Sequence, residues 1–155
     1  MTNNDILRRL RFAFDIKDSK MMEIFKLGGL EVTRAEVSDF LKKDEDPDFK
    51  NCSDKNMAHF LNGFIVKNRG ARDGEPMVAE KNINNNMILK KLKIALNLKS
   101  EDVLAILKLA DFRLSNNELS AFFRKPDHKH FRPCMDQVLR NFLEGLKIRH
   151  RESDI

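Results

Sequence analysis

The chain has 155 residues, 41% of them hydrophobic and 34% charged, with twelve Phe and no Trp or Tyr. That is enough apolar bulk for one ordinary core or two small ones, while six Gly and four Pro are too few turn residues for an all-β chain. A net charge of +5 admits an anionic partner, because a basic field attracts phosphate without specifying a sequence.

Two Cys do not make a disulfide scaffold. No stretch approaches the roughly 18–20 apolar residues that span a bilayer. Met1-Thr2-Asn3-Asn4-Asp5 has no apolar run behind a basic start and does not read as a signal peptide. These features predict a soluble cytoplasmic protein with no membrane partner. The positive charge sits mostly in the second half: residues 1–70 hold thirteen Lys/Arg against twelve Asp/Glu, and residues 84–155 hold fourteen against nine.

The chain repeats itself. Asn3-Asn4-Asp5-Ile6-Leu7-Arg8-Arg9-Leu10-Arg11 returns 82 positions later as Asn85-Asn86-Met87-Ile88-Leu89-Lys90-Lys91-Leu92-Lys93. Laying 3–64 on 85–146 needs no gap, and about twenty of the 62 pairs are identical. A fixed period of this kind sets the architecture before any single element does. The expectation is an all-α protein made of two tandem four-helix repeats, packed with pseudo-two-fold symmetry. Residues 1–67 form the first repeat, 68–83 a linker, 84–150 the second repeat and 151–155 a tail.

In chain order, helix 1 is predicted from about Asp5 to Asp15 with Asn4 as its cap, and again from about Met87 to Asn97 with Asn86 as cap. Ile6, Leu7, Leu10, Ala13 and Phe14 share a face at helical spacing, as do Ile88, Leu89, Leu92, Ala95 and Leu96. Helix 2 starts at the caps Asp18 and Ser100. Its apolar faces are Met21, Met22, Ile24, Phe25 and Leu27, then Val103, Leu104, Ile106, Leu107 and Leu109. Helix 3 opens with capping boxes, Thr33-Arg34-Ala35-Glu36 and Ser115-Asn116-Asn117-Glu118, in which hydroxyl and carboxylate each satisfy a first-turn donor. An irregular loop follows over 44–53 and 126–135, with Phe49 and Phe131 expected to pin it to the core. Helix 4 begins near Asp54 and Asp136 and buries Met57, Phe60, Leu61, Phe64 and Ile65, or Leu139, Phe142, Leu143 and Leu146. Gly63 and Gly145 lie inside it at matching positions, where Gly costs about 1 kcal/mol relative to Ala. They predict close approach of another helix, in the other repeat or another subunit.

The ordered set Ile83-Asn84-Asn85-Asn86, Ile88-Leu89-Lys90-Lys91-Leu92, Pro126-Asp127-His128-Lys129 and Phe142-Leu143-Glu144-Gly145-Leu146 resembles the YehS family of bacterial proteins. The resemblance covers nearly the whole chain. It implies a small bacterial protein with a repeated domain of unknown function, and it carries over no catalytic residue.

Candidate sites are sparse. Asp44, Asp46 and Asp48 alternate as in a calcium loop, but the positions that need Gly and a bidentate Glu hold Phe49 and Lys55, so calcium is rejected. His128 and His130, with Asp127 and Cys134, hold ligand-type atoms, yet the first repeat has Asp46, Asp48, Glu45 and Cys52 there, and no metal site is assigned. Cys52 and Cys134 precede helix 4, where a thiol is either activated or simply buried; the buried reading is favoured. Helices 2 and 3 fit a helix-turn-helix only in part, since Gly28-Gly29 at the turn becomes Ala110-Asp111. No nucleophile constellation or nucleotide loop appears, so no catalytic or cofactor-binding residue is assigned.

The leading expectation is a non-enzymatic module that binds an anionic macromolecule such as nucleic acid. The contacts would be Arg8, Arg9, Arg11, Lys90, Lys91 and Lys93 of helix 1, together with the second repeat. Two alternatives are a protein-interaction or self-associating module and an enzyme with a cleft between repeats. Phe12 and Ile94 point away from the apolar face of helix 1 among these bases. They predict, with Gly63 and Gly145, a contact between repeats or subunits.

Overall fold

The computed structural model of the chain describes residues 1–71, 74 and 76–152. Among these the protein is all-α, in two tandem four-helix copies. The first holds α1 (Asn3–Phe14), α2 (Asp18–Leu27), α3 (Arg34–Leu41) and α4 (Asp54–Arg69). The second holds α5 (Asn85–Ala95), α6 (Ser100–Leu109), α7 (Asn116–Phe122) and α8 (Asp136–Lys147), extended by a π-helical turn, Ile148–Glu152. Among the described residues, no helix is long and apolar enough to cross a membrane. Arg72, Asp73 and Glu75 of the expected linker, and 153–155 of the expected tail, lie outside the described residues.

Both capping boxes form. Thr33 Oγ1 accepts from Glu36 N and Glu36 Oε1 from Thr33 N, each at 3.1 Å, and Ser115 with Glu118 repeats the pair at 3.1 and 3.0 Å. The other caps differ from expectation. Thr2 caps α1 by accepting from Asp5 N, and Asn84 caps α5 by accepting from Met87 N. Asp18 and Ser100 are the first helical residues of α2 and α6 rather than their caps.

Asn4 and Asn86 are instead clamps. Asn4 Nδ2 donates to Phe40 O and Lys50 O, both at 2.9 Å, and its Oδ1 accepts from Cys52 N at 3.0 Å. Asn86 does the same with Phe122 O, Arg132 O and Cys134 N, all at 2.9 Å. One amide side chain thus uses two donors and an acceptor to tie the end of helix 3 and the following loop to helix 1. Next to them, Asn3 Nδ2 bridges Cys52 O and Asp54 Oδ1, and Asn85 Nδ2 bridges Cys134 O and Asp136 Oδ1. The loop is therefore held by its own backbone. Phe49 and Phe131, expected to pin it, stay only half-buried.

The copies pack crosswise: α1 lies against α8, and α5 against α4. The polar ends obey the same pseudo-two-fold. The Met1 amine donates to Asp136 Oδ2 at 2.7 Å, and Ile83 N, the position equivalent to Met1, donates to Asp54 Oδ2 at 3.2 Å. Buried side chains of both copies form one continuous core, with Phe25, Phe40, Phe60 and Phe142 as its largest fully buried members. The buried face of helix 2 is narrower than expected, because Leu27 and Leu109 are exposed. The second copy also runs further, since Arg151 stacks at 4.1 Å over the Phe12 ring and donates to Phe12 O at 2.7 Å.

Gly63 and Gly145 do mark a close approach, but within each copy. A Cβ on Gly63 would lie 1.7 Å from Ile24 O of α2, and one on Gly145 2.0 Å from Ile106 O of α6. The contact between repeats expected of these glycines is corrected accordingly: each lets helix 4 touch the backbone of its own helix 2. Gly28 is fitted to the same seam from the other side, its hypothetical Cβ 1.7 Å from His59 O, so its presence at the α2–α3 turn answers packing rather than a DNA-reading motif.

Two outcomes follow for urea unfolding. Gly63→Ala and Gly145→Ala each destabilise, since forcing the helices apart costs typically 1–3 kcal/mol or more and outweighs the gain of about 1 kcal/mol in helix propensity; a rise in midpoint would contradict the seam. Asn4→Ala leaves the buried Phe40 O and Cys52 N unpaired, at about 1–3 kcal/mol each, and lowers stability more than Asn86→Ala, whose site is only half-buried and lets water substitute.

Candidate functional site

Half of the six cations expected to meet an anion have partners inside the molecule. Arg8 pairs with Asp5, donates to Lys42 O at 2.6 Å and reaches Asp44 at 3.5 Å. Arg11 donates to Ile16 O at 3.1 Å and Asp18 at 3.0 Å. Lys91 meets Asn62 Oδ1 at 2.5 Å and Glu80 at 3.1 Å, with its side chain only 13% exposed. Arg9 and Lys90 are exposed, and Lys93 is half-buried with Nζ 5.6 Å above the Phe123 ring. Of the two apolar residues set among these bases, Phe12 carries Arg151 from the second copy and Ile94 is exposed.

The repeat gives each pairing a counterpart 82 positions on. The Lys50–Glu36 pair keeps both charges in the second copy as Arg132 and Glu118, but around Arg8, Arg11 and Lys42 the first copy sets the acids Asp5, Asp18, Asp39, Asp44 and Asp48. At the equivalent positions the second copy holds Met87, Ser100, Ala121, Pro126 and His130, while the cations persist as Lys90, Lys93 and Arg124. The loop after helix 3 changes most. Residues 42–50 carry three Lys against four acids, whereas 124–132 carry Arg124, Lys125, Lys129 and Arg132 against Asp127 alone. All four of these cations are exposed. Lys90 follows Asn86 by one turn, on the face to which Asn86 ties the loop, and Lys93 stands above Phe123 where the loop begins. The second copy therefore presents one basic surface built from helix 1 and the loop.

The pattern of helix 1 alone gives no sign of the loop cations. Their signal lies in the repeat itself, in cations retained at positions where the first copy sets acids beside them, and it becomes readable once the pairings are known.

His128 and His130 belong to the same loop. His130 N donates to His128 Nδ1 at 3.0 Å, as Asp48 N donates to Asp46 Oδ1 at 2.9 Å in the first copy. An imidazole lone pair thus closes a turn that a carboxylate closes elsewhere. The two rings stand 5.5 Å apart. Cys134 does not join them: it is buried in the core, and burial pushes both its thiol and that of Cys52 up to about 12. A cavity of about 590 Å³ lies beside the first copy, between α2, α4 and the linker, with Leu27, Val66, Met77 and Asn62 in its walls. It is predominantly apolar and does not form a cleft between copies.

Comparison with known proteins agrees with this architecture. A family model described as protein of unknown function (DUF1456) matches twice, over residues 3–70 and 85–152. The chain is 43% identical over 150 residues to the uncharacterized protein YehS of Escherichia coli (strain K12), covering 96% of each chain. No solved structure matches.

The buried thiols give a prediction in alkali. Folded, they hold their protons to about 12, whereas their ordinary value is 9.0. The unfolded chain therefore loses these protons first, and the thiol contribution to stability falls as pH rises from about 9 toward 12. At neutral pH, Ellman's reagent should label neither Cys52 nor Cys134 until urea unfolds the protein; fast labelling of the native protein would contradict their burial.

Proposed function

The chain belongs to the DUF1456 family of proteins of unknown function, and from that starting point we propose that it binds an anionic macromolecule, a nucleic acid, through the basic face of its second copy. The observation that carries this reading is the charge difference between two loops on equivalent clamps. Asn4 holds a loop with four acids and Asn86 one with a single acid, through equivalent hydrogen bonds to backbone atoms. The fold needs the backbone geometry and is indifferent to the loop's charge. Exposed cations gathered without matching acids raise the local potential and attract phosphate.

Lys90, Lys93, Arg124, Lys125, Lys129 and Arg132 are the phosphate-neutralising groups in this reading. Such contacts position a nucleic acid without specifying its sequence. Arg8, Arg11 and Lys91 leave the earlier set, because their partners within the chain would have to be given up. Arg9, in the first copy, stands within reach of the Asp5 charge. The exposed loop bases take their place.

Affinity for a mixed-sequence fragment should fall with salt. Six neutralised phosphates give a slope of log K against log salt of roughly −5 on duplex DNA and roughly −4 on a single strand. The combined change Lys90→Ala, Lys125→Ala and Lys129→Ala removes roughly 2 to 3 from that slope. Arg9→Ala leaves the slope unchanged, and Arg8→Ala lowers stability instead. No binding at low salt, or binding indifferent to salt, would overturn the proposal.

A further inference from the structure

We propose that the nucleic acid taken by this surface is single-stranded, with bases stacked on the imidazoles of His128 and His130 while the surrounding cations hold the phosphates; this rests on the phosphate-binding reading above and names its substrate class. The basic loop carries rings as well as charge. His128 and His130 are both exposed, with centroids 5.5 Å apart and planes at 41°, and Lys129 lies between them in sequence. Phe131 follows, half-buried, and Phe123 stands at the loop's start under Lys93 Nζ.

Turn closure does not account for these rings. It requires one acceptor at position 128, which Asp46 Oδ1 supplies in the first copy, and it requires only a backbone N–H at position 130. What an imidazole adds over a carboxylate is a flat π face and the loss of a negative charge. Both changes favour a base with its phosphate.

The shape of the surface selects the strand. In a duplex the base faces are covered by their neighbours, and side chains reach base edges only by entering a groove, usually on a helix or a two-stranded ribbon. A short loop lying on the helices does neither. A single strand offers uncovered base faces, which stack on aromatic rings, His included, whatever the sequence. The platform is also preorganised, because Asn86 and the bond from Arg132 N to Ala121 O, 3.1 Å long, hold the loop before any ligand arrives.

The test uses the full chain and three probes: a mixed-sequence single strand of about 12 nucleotides, made both as RNA and as DNA, the duplex of the same sequence, and heparin, which has charge without bases. The variant is His128→Asn with His130→Asn, which keeps an acceptor for the turn and removes both rings. Wild type should bind at least one of the single strands about tenfold or more tighter than the duplex, and whichever it prefers identifies the sugar. The variant should lose about tenfold on that strand while keeping its heparin affinity. Equal binding of strand and duplex, or a variant that binds the strand like wild type, overturns the stacking proposal and leaves phosphate binding standing. Failure to bind any of the three probes overturns both.

Discussion

An asparagine amide on helix 1, fully buried in the first copy and half-buried in the second, holds each copy's irregular loop in place. Asn4 and Asn86 each satisfy two carbonyls and one N–H that would otherwise be stranded where an irregular loop meets the core. Buried backbone groups must be paired, and a loop with no helix or sheet of its own has to borrow its partners. An asparagine on helix 1 can lend both kinds at once, which neither Asp nor Leu could do. Because it binds only main-chain atoms, it places no demand on the loop's side chains. The fold thereby carries an acidic loop on one side and a basic loop on the other without altering its frame.

The second constraint is steric. Helix 2 and helix 4 of each copy touch backbone to backbone at Gly63 and Gly145, and that contact forms the body of the copy. Helix 1 is then left to cross to the other copy, α1 onto α8 and α5 onto α4. Neither copy closes its core alone, and the buried side chains merge into one cluster. The reciprocal bonds of Asp54 and Asp136 to the opposite copy mark the same exchange at the helix ends.

Electrostatics separates the copies that packing makes alike. In the first, Arg8, Arg11 and Lys42 each stand beside a carboxylate, and such partly exposed pairs add little stability. Removing their acids costs the fold little. It also turns locally neutral ground into a basic surface, which is the change seen from the first copy to the second. The internal repeat serves as a control for the proposal: the same backbone without the excess charge is present in the same molecule.

The period of 82, the eight helices, both capping boxes and most of the buried face are legible in the order of residue types. These features are local, written in spacings of three and four residues and in hydroxyl–carboxylate pairs three apart. What Asn4, Gly63 and Arg8 do was decided only by the tertiary structure. An asparagine before an apolar run reads as a cap, yet its partners lie 36 to 48 positions away. An interior glycine announces a neighbour without saying which, and the neighbour was the helix of its own copy. A run of bases reads as an anion site until Asp44 is found beside Arg8, 36 positions on. In each case the residue type states a need that local geometry cannot meet. Which distant group meets it depends on how the helices pack.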